Sequence, residues 1–384
     1  MKKILQISNY LYPNRGGIEQ IAQYIMNSLS EDGYPQRLIC FNETARDGDH
    51  VCRRGETARD TVDGVEVTRC GCFAKIRSQS LSVTFHRELK RLLRDFRPDI
   101  VIFHYPNPLM AASLLRLLPD GTKLIVYWHL DIVKQKLLRL LFTGQNRRLL
   151  RRADLLIATS PPYVDGSPWL SAVREKCVIV PNCISAARMQ PTDAAYAAAE
   201  EIRRTYPGKI LCVAVGRHTQ YKGFEYLIRA AKTLDSRFAF LITGAGEETE
   251  KLKQEAAGDP RICFLGVVDD TTLKGCLLAA DIFCFPSITK NEAFGLALAE
   301  ALYYGKPAVT FTIPGSGVNY VCPDGECGLE APNRDVAAYS ERLKRLGDDP
   351  ALRERLGENG RKRAETLFMY PQFSDRIRRI IRDL

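Results

Sequence analysis

The sequence lacks any apolar run that approaches the roughly 18 residues needed for a membrane-spanning helix. Polar residues interrupt the first nine positions before the hydrophobic segment of a signal peptide could form. The chain also has no internal repeat of fixed period and no low-complexity segment. These absences predict a folded chain that stays in the cytosol.

Two nucleotide-binding motifs and a zinc-binding pattern are also absent. Residues 12–17, after the first predicted strand, do not fit Gly-x-Gly-x-x-Gly, which disfavours an NAD-dependent oxidoreductase. No Gly-x-x-x-x-Gly-Lys-Ser/Thr is present, which excludes a P-loop NTPase. Cys70 with Cys72, and Cys322 with Cys327, are the closest cysteine pairs, and neither has a second pair at zinc-binding spacing. We therefore expect no metal site and no resident cofactor.

The chain has 384 residues, of which 45% are hydrophobic and 26% charged, as in an ordinary globular protein. Short apolar runs alternate with longer helix-like segments, which is typical of parallel strands joined by crossover helices. We predict an α/β protein with two doubly wound, Rossmann-like domains facing each other across a cleft. The predicted segments are a first domain at 1–180, a connection at 181–207, a second domain at 208–365, and a C-terminal helix at 366–384 that packs back on the first domain.

The apolar runs predict the strands of two parallel sheets. An Asp-Gly pair at Asp63 and Gly64 predicts an additional hairpin. Because ligands collect at the carboxyl ends of parallel strands, we expect the site there. The predicted strands are Ile4–Ser8, Arg37–Phe41, Ile100–Phe103, Lys123–Trp128, Leu155–Thr159, Val178–Val180, Ile210–Val215, Phe238–Thr243, Ile262–Leu265, Ile282–Phe285 and Ala308–Phe311.

The net charge of +10 is concentrated in the N-terminal half of the chain. Residues 1–180 hold 27 Lys and Arg against 18 Asp and Glu, whereas residues 181–384 hold 28 against 27. The densest basic segment contains no acid and has leucines between its cations, which suits anionic lipid headgroups. An ordinary helix with its leucines on the core explains the pattern equally well. Its basic residues are Lys134, Lys136, Arg139, Arg147, Arg148, Arg151 and Arg152.

Two glutamates, Glu292 and Glu300, follow the predicted strand Ile282–Phe285. In a helix they would lie about 12 Å apart at 1.5 Å per residue, too far to act on one atom but suited to gripping two ends of a long ligand. The backbone N–H groups of a helix start between them form an anion site. That backbone is contributed by Ala293, Phe294, Gly295 and Leu296. A nucleotide diphospho-sugar fits this arrangement. Alternatively, Glu292 caps the helix and Glu300 pairs with a cation.

A second cluster follows the predicted strand Ile210–Val215. Arg217 and Lys222 lie five residues apart in a loop flanked by Gly216 and Gly223. Both cations can reach one diphosphate, which indicates stabilisation of a leaving group without a metal. The alternative is a loop solvated by its charges.

These motifs, in this order, resemble the series found in the retaining GT-B glycosyltransferases of family four, and the resemblance covers nearly the whole chain. It rests on the loop Gly16-Gly17-Ile18-Glu19, the loop 216–223, Gly244-Ala245-Gly246-Glu247, Phe264-Leu265-Gly266 and the Glu292/Glu300 pair. The resemblance implies GT-B architecture, an acceptor-binding first domain and a nucleotide-sugar-binding second domain. It also implies metal-independent sugar transfer with the anomeric configuration retained.

The resemblance also implies a role for each matching residue. Arg217 and Lys222 would hold the donor diphosphate, Glu300 the ribose hydroxyls and Glu292 the donor sugar. The nucleoside would meet the backbone near Gly244, Gly246 and Val267. The phosphate and the acceptor would approach Gly16 and Gly17, with Glu19 on the acceptor side.

Two histidines end predicted strands of the first domain. His129 resembles a donor-sugar contact near the reacting carbon, so the catalytic residues expected from the resemblance are His129, Glu292, Arg217 and Lys222. His104 and Asp131 are weaker acceptor-side candidates, and Asp131 alternatively caps the following helix. The sequence departs from the family pattern at Leu130, Cys183 and Ser185, so no role is transferred there.

The expected reaction moves a hexose from a nucleotide diphospho-sugar to a glycan acceptor in surface polysaccharide biosynthesis. The similarity to mannosyl- and rhamnosyltransferases of bacterial polysaccharide assembly favours GDP-mannose as donor. A lipid-linked acceptor would place the protein at the inner face of the cytoplasmic membrane, and no nucleic-acid partner is expected. A nucleotide-sugar epimerase of the same fold and a non-catalytic sugar-nucleotide binding protein are the alternatives.

Overall fold

The computed structural model describes residues 1–14, 16–43, 50–76, 79–131 and 136–384, which form two compact units. Unit 1 comprises Met1–Thr159, Ser167–Val180 and Phe373–Leu384, and unit 2 comprises Ser160–Gly166 and Pro181–Gln372. Both units alternate strands and helices, as the sequence predicted.

Unit 1 is built on a sheet of eight strands in the order β10-β9-β8-β7-β1-β2-β4-β3. All neighbours pair in parallel except β3, which runs antiparallel to β4. Its strands are β1 (Ile4–Ile7), β2 (Gln36–Phe41), β3 (Ala58–Val62), β4 (Val65–Cys70), β7 (Ile100–Tyr105), β8 (Lys123–Trp128), β9 (Leu155–Ala158) and β10 (Cys177–Ile179), with a separate hairpin of β5 (Ala74–Ile76) and β6 (Gln79–Leu81). The helices are α1 (Gly17–Glu31), α2 (Phe85–Phe96), α3 (Pro108–Leu117) and α4 (Lys136–Arg152).

The predicted hairpin at Asp63 and Gly64 is confirmed, because Val62 and Val65 face each other across the turn. Asp63 and Gly64 have φ angles of 48° and 80°, the two positive values that a two-residue hairpin turn with the twist of its strands requires. The sequence did not predict the pairing of β4 with β2, which adds β4 to the parallel sheet.

Unit 2 has a sheet of six strands, all parallel, in the order β13-β12-β11-β14-β15-β16. Its strands are β11 (Ile210–Val215), β12 (Phe238–Thr243), β13 (Ile262–Gly266), β14 (Ile282–Phe285), β15 (Ala308–Phe311) and β16 (Gly328–Ala331). Its helices are α5 (Pro161–Gly166), α6 (Ala186–Met189), α7 (Asp193–Thr205), α8 (Phe224–Thr233), α9 (Thr249–Ala256), α10 (Asp270–Ala279), α11 (Leu296–Tyr303), α12 (Val318–Val321), α13 (Val336–Asp348) and α14 (Pro350–Leu367).

The strands of unit 2 are continuous apolar runs because helices cover both faces of the sheet. Phe238, Phe240 and Ile242 of β12 are almost completely buried, as are Leu241 and Ala239 on the opposite face. Because all the strands run parallel, their carboxyl ends lie at one edge of the sheet.

Helix α7 lies in the predicted connection 181–207, yet it packs within unit 2. Gly275 of α10 faces Ala198 of α7, and a Cβ at position 275 would lie 2.7 Å from the Ala198 Cβ. The two helices therefore approach closely only because one of them carries a glycine there. Residues 160–166, within the predicted first domain, also belong to unit 2.

The last helix, α15 (Tyr370–Asp383), contributes residues 373–384 to unit 1. Ile377 and Ile381 are buried, and Ser374 Oγ lies 2.7 Å from Ser28 Oγ of α1. Lys2 Nζ donates to the carbonyl of Ile381 at 2.9 Å. Among the helices formed by described residues, none is both long enough and apolar enough to cross a membrane.

Candidate active site

The loop after β11 holds the two cations singled out by the sequence. Its glycines, Gly216 and Gly223, have φ angles of 156° and 64°. Residues with a Cβ rarely adopt such positive φ angles. Arg217 is exposed, and its guanidinium has no hydrogen-bond or ion-pair partner among the described residues. Arg217 can therefore engage an added anion without breaking an existing contact.

Lys222 is largely buried and forms an ion pair with Glu292. Ser287 Oγ donates to the same carboxylate oxygen, Glu292 Oε2, at 3.2 Å, and Lys222 Nζ lies 5.0 Å from the centre of the Phe285 ring. Burial lowers the pKa of Lys222, but the nearby Glu292 carboxylate and Tyr221 outweigh it, so this pKa lies above its usual value. The two residues predicted to hold the donor phosphate and the donor sugar are thus in direct contact.

Glu292 does not lie in a helix. Helix α11 begins at Leu296, so the helical spacing considered for Glu292 and Glu300 does not apply to this pair. Gly295 precedes the helix with a φ of 94°, and a Cβ there would lie 3.1 Å from the Phe285 ring. The first helical hydrogen bond runs from Ala299 N–H to Gly295 O, which leaves the N–H groups of the first helical turn without acceptors inside the helix. These groups can receive an anion.

The side chains of Ala293 and Phe294 are buried, and the Phe294 ring packs edge-on against Phe368 at 5.3 Å between ring centres. Any contact of these two residues with a ligand must therefore come from the backbone. Ser316 Oγ donates to the carbonyl of Glu292, which ties this segment to the loop after β15.

Glu300 lies in the second turn of α11, and its side chain is only 10% exposed. Arg188 Nη1 lies 3.7 Å from Glu300 Oε1, and Arg188 Nη2 lies 3.8 Å from Asp270 Oδ1. Burial raises the pKa of Glu300, and Arg188 opposes part of that rise. The carboxylate is thus held beside one cation and makes no direct hydrogen bond among the described residues.

The loop after β12 packs backbone to backbone against the loop after β11. A Cβ on Gly244 would strike the carbonyl of Gly216, and one on Gly246 would strike the carbonyl of His218. Thr249 Oγ1 accepts from Gly246 N–H at 2.8 Å and lies 2.9 Å from His218 Nδ1. Val267, predicted to meet the nucleoside, is 69% exposed.

In unit 1, an acidic side chain already occupies the start of α1 at Gly16 and Gly17. Helix α1 begins at Gly17, and the Glu19 carboxylate of its first turn folds back over Gly16. Glu19 is 8% exposed. An acidic group at the positive end of a helix is stabilised there, so Glu19 is engaged with its own helix start.

His104, near the end of β7, and His129, directly after β8, form a buried pair. His104 Nδ1 lies 2.9 Å from His129 Nε2, and His104 Nε2 lies 3.0 Å from Gln6 Oε1. The Tyr127 ring stacks on both imidazoles, with centres 4.3 Å from His129 and 5.8 Å from His104. Burial lowers the pKa of His104 to about 3 and that of His129 well below its usual value, so both are neutral at pH 7.

Asp131 is buried and accepts hydrogen bonds from Trp128 Nε1 at 2.9 Å and from Ser167 Oγ at 2.8 Å. Its carboxylate therefore connects the end of β8 to the segment after residue 166. This contact gives Asp131 a bracing role within unit 1 besides the acceptor contact expected from the sequence.

The basic segment is only partly available to a partner. Lys134 lies outside the described residues, as do the side chains of Lys136 and Arg139. Arg152 is half-buried and donates to the carbonyls of Pro119 and Thr122, so part of its hydrogen-bonding capacity is used within unit 1. Leu149 and Leu150 are buried in unit 1, whereas Arg147, Arg148 and Arg151 are exposed.

Three residues of these clusters were not predicted. Gln6 lies inside a strand, Ser287 follows one, and Arg188 lies in a short helix of the predicted connection. None belongs to a local motif, since each meets its partner only through the fold. A buried glutamine within an otherwise apolar run at Ile4–Ile7 was the one available signal.

Comparison with protein families gives two matches that together span most of the chain. The model described as "Glycosyl transferases group 1" matches residues 198–363. The model described as "Glycosyl transferase 4-like domain" matches residues 16–183. Each match falls largely within one of the two units.

Three curated relatives match most of the chain. The chain is 28% identical to O-antigen chain mannosyltransferase C of Escherichia coli, covering 95% of this chain and 94% of that protein. It is 29% identical to D-rhamnosyltransferase WbpZ of Pseudomonas aeruginosa, covering 94% and 90%. It is 30% identical to a phosphatidyl-myo-inositol mannosyltransferase of Mycobacterium leprae, covering 71% of each chain.

Two solved structures share the fold. Sucrose-phosphate synthase from Thermosynechococcus elongatus aligns with a TM-score of 0.79 at 19% identity and covers 100% of this chain and 99% of its own. HepE of Anabaena, solved with UDP and glucose, aligns with a TM-score of 0.78 at 15% identity and covers 100% of both chains. These likenesses confirm the predicted GT-B fold.

Proposed function

The chain belongs to the group 1 glycosyltransferases with a glycosyltransferase 4-like N-terminal half, and from that premise we propose that it transfers a hexose from a nucleotide diphospho-sugar to a glycan acceptor in surface polysaccharide assembly. One arrangement carries the proposal. Unpaired Arg217, buried Lys222 and the N-terminus of α11 gather positive charge around the ends of β11 and β14, where a diphosphate would fit.

The leaving diphosphate gains negative charge as the bond to the sugar breaks. Positive groups that are already fixed in place stabilise that charge without reorganising. Lys222 is held by Glu292 and by the Phe285 ring, so its position is set before a ligand arrives. Arg217 and the free N–H groups of α11 would complete the diphosphate site. No metal is needed in this proposal, since these groups supply the positive charge.

We propose that the sugar keeps its anomeric configuration. Glu292 is the carboxylate that the family resemblance assigns to the donor sugar, but its Oε2 already holds Lys222 and Ser287, which makes it a poor nucleophile. The acceptor hydroxyl would instead attack from the leaving-group side. The bond between the anomeric carbon and the diphosphate oxygen breaks, a bond to the acceptor oxygen forms, and the acceptor's proton passes to the diphosphate oxygen.

The proposed donor is GDP-mannose. Two of the named relatives are mannosyltransferases and a third is a D-rhamnosyltransferase. The matches to the Escherichia coli mannosyltransferase and to the rhamnosyltransferase extend over nearly the whole chain. The Glu300 carboxylate, which has no direct hydrogen bond among the described residues, would accept from the ribose hydroxyls of the nucleotide.

A transfer assay tests this proposal. GDP-, UDP- and dTDP-sugars labelled in the sugar are incubated with the protein and a bacterial lipid-linked glycan extract, with and without EDTA. The expected result is labelled glycan from GDP-mannose alone, unchanged by EDTA and with the donor's anomeric configuration in the product. Inverted product or a metal requirement would contradict the mechanism. Conversion of the donor sugar without acceptor would indicate an epimerase.

We further propose that the acceptor is lipid-linked and that unit 1 rests on an anionic membrane at the cytoplasmic face. A groove of about 590 Å³ lies between α3 and α4, and Arg116, Arg148 and Arg151 line it. None of these three arginines forms an ion pair with another described residue. Unpaired like charges repel one another, so the cluster is best explained by an anionic partner.

Liposome flotation tests the membrane contact. Reversing Arg116, Arg148 and Arg151 to glutamate should abolish flotation with anionic vesicles while transfer to a soluble acceptor is kept. The matched control reverses Lys344, Arg355 and Lys362, which are exposed in unit 2 and change the net charge equally. Equal loss in both variants would show that only net charge matters, and retained flotation in the first would refute the contact.

A further inference from the structure

Gln6, His104 and His129 form a buried series of hydrogen bonds, and their contacts indicate which nitrogen atoms carry a proton. Gln6 Oε1 can only accept a hydrogen bond, and it lies 3.0 Å from His104 Nε2, so that nitrogen carries the proton. His104 is neutral, because burial lowers its pKa to about 3, and therefore its Nδ1 carries none. The 2.9 Å contact between the two imidazoles then requires the proton on His129 Nε2.

The protonation of His129 Nδ1, at the end of this series of hydrogen bonds, follows from the same argument. His129 is also neutral, because burial and the neighbouring His104 both oppose its charged form. A neutral imidazole carries one proton, and Nε2 holds it, so Nδ1 is a bare acceptor. No described residue donates to this Nδ1.

The surroundings of the pair restrict its arrangement. Gln6 and His104 are each 1% exposed, so water cannot replace either partner. The Tyr127 ring lies within 12° of parallel to both imidazoles, and this stacking restricts the tilt of their planes. His129 N–H also donates to the carbonyl of Tyr105 at 3.1 Å, which fixes the backbone from which the imidazole projects.

We infer that Gln6 and His104 are positioning residues that lock His129 in the tautomer whose Nδ1 accepts a hydrogen bond from a ligand hydroxyl. The inference rests on the proposed function only in taking the donor sugar as that ligand. It adds a specificity rule: a sugar must present a hydroxyl, and not an acceptor such as a ring or ether oxygen, to His129. A sugar lacking that hydroxyl would forgo the hydrogen bond to His129 Nδ1.

The first test reads the tautomer directly and needs no donor. The chain has five histidines, so ¹⁵N-histidine spectra can be assigned by substituting them one at a time. At pH 7 the expected spectrum shows a protonated Nε2 and an unprotonated Nδ1 for His129. A proton on His129 Nδ1 would overturn the inference whatever the activity of the protein.

The second test compares two substitutions of one positioning residue. His104→Asn places an amide oxygen where Nδ1 accepted, so it should preserve the tautomer and hold donor affinity within about twofold. His104→Phe keeps the ring stacking but removes the acceptor, so donor affinity should fall by roughly tenfold. His86→Asn, at an exposed histidine, is the control. Equal losses in the Asn and Phe variants would assign His104 a merely structural role. If the wild type binds no donor, the proposed function fails while the spectrum still decides the tautomer.

Discussion

At the scale of single residues, the contact between Lys222 and Glu292 makes the charge of one depend on the other. Lys222 is largely buried, and Glu292 is the carboxylate that raises its pKa above the usual value. A lysine with a raised pKa keeps its charge as pH increases until that pKa is passed. The wild type should therefore bind a diphosphate with little pH dependence between about pH 6 and 9.

In Glu292→Gln, diphosphate binding should become dependent on pH. With the carboxylate gone, burial dominates and lowers the pKa of Lys222, so the cation is lost at a lower pH. Donor affinity measured by calorimetry should fall increasingly behind that of the wild type as pH rises, and the variant should be less stable by about 3 kcal/mol. Ser287→Ala removes a neutral hydrogen bond to the same carboxylate and should leave the pH profile unchanged. Parallel profiles for wild type and Glu292→Gln would contradict the coupling.

The sequence predicted the identity of these residues better than their contacts. Arg217, Lys222, Glu292 and Glu300 are recognisable because they sit at fixed distances from strands and glycines. Their partners are separated from them by long stretches of chain, as Arg188 is from Glu300, and no local pattern encodes such a contact. The helix start was predicted between Glu292 and Glu300, and α11 begins within that range, at Leu296 after the positive φ of Gly295.

At the scale of elements, the loops after β11 and β12 approach closely because the second loop has glycine at positions 244 and 246. Gly244 has a φ of 105°, and a Cβ there would strike the carbonyl of Gly216. Gly258 has a similar φ of 84° but has open space around its Cβ position. Comparing alanine substitutions at Gly244 and Gly258 therefore distinguishes the cost of backbone strain from the cost of a steric clash.

Gly244→Ala should destabilise unit 2 and weaken donor binding. Gly258→Ala bears only the strain of positive φ, about 1 kcal/mol, whereas Gly244→Ala adds an overpacking cost of about 1–3 kcal/mol. Denaturant unfolding of both variants measures the difference. Because the Gly216 loop also carries Arg217 and Lys222, only Gly244→Ala should reduce donor affinity. Equal stability and affinity in the two variants would show that the loop contact is not required.

The elements themselves were largely predictable. Buried parallel strands are continuous apolar runs, and each of the eleven predicted runs forms a strand in the structure. The strands β3 and β4 were predicted only through the turn at Asp63 and Gly64, and β5, β6 and β16 were missed. All five are short or alternate with polar residues, so apolar continuity does not identify them. Sheet order also cannot be read from local patterns, because neighbours such as β1 and β7 are far apart in sequence.

At the scale of the whole molecule, the chain ends inside the unit in which it begins. Residues 373–384 belong to unit 1, where Ile377 and Ile381 are buried and Arg378 contacts Glu31 of α1. The sequence indicated this docking through the apolar face of the last helix. Residues 373–384 therefore form part of the core of unit 1.

Ile377→Ala should destabilise unit 1 selectively, by about 2–5 kcal/mol, because a fully buried side chain is lost. Hydrogen exchange should show reduced protection in α1 and little change in the sheet of unit 2. Arg379→Ala, on the exposed face of the same helix, should change neither. Loss of protection confined to unit 2 would show that the helix supports a different part of the chain.

The central claim is that unit 2 binds the donor nucleotide through Glu300 and the cations of the β11 loop. Calorimetric titration of GDP-, UDP- and dTDP-sugars in the presence of EDTA tests it most directly, with wild type, Glu300→Ala and the exposed control Glu250→Ala. The account predicts that one donor, GDP-mannose, binds wild type and the control alike, and that Glu300→Ala loses at least tenfold in affinity. Absence of binding across the panel, or equal binding by Glu300→Ala, would contradict it.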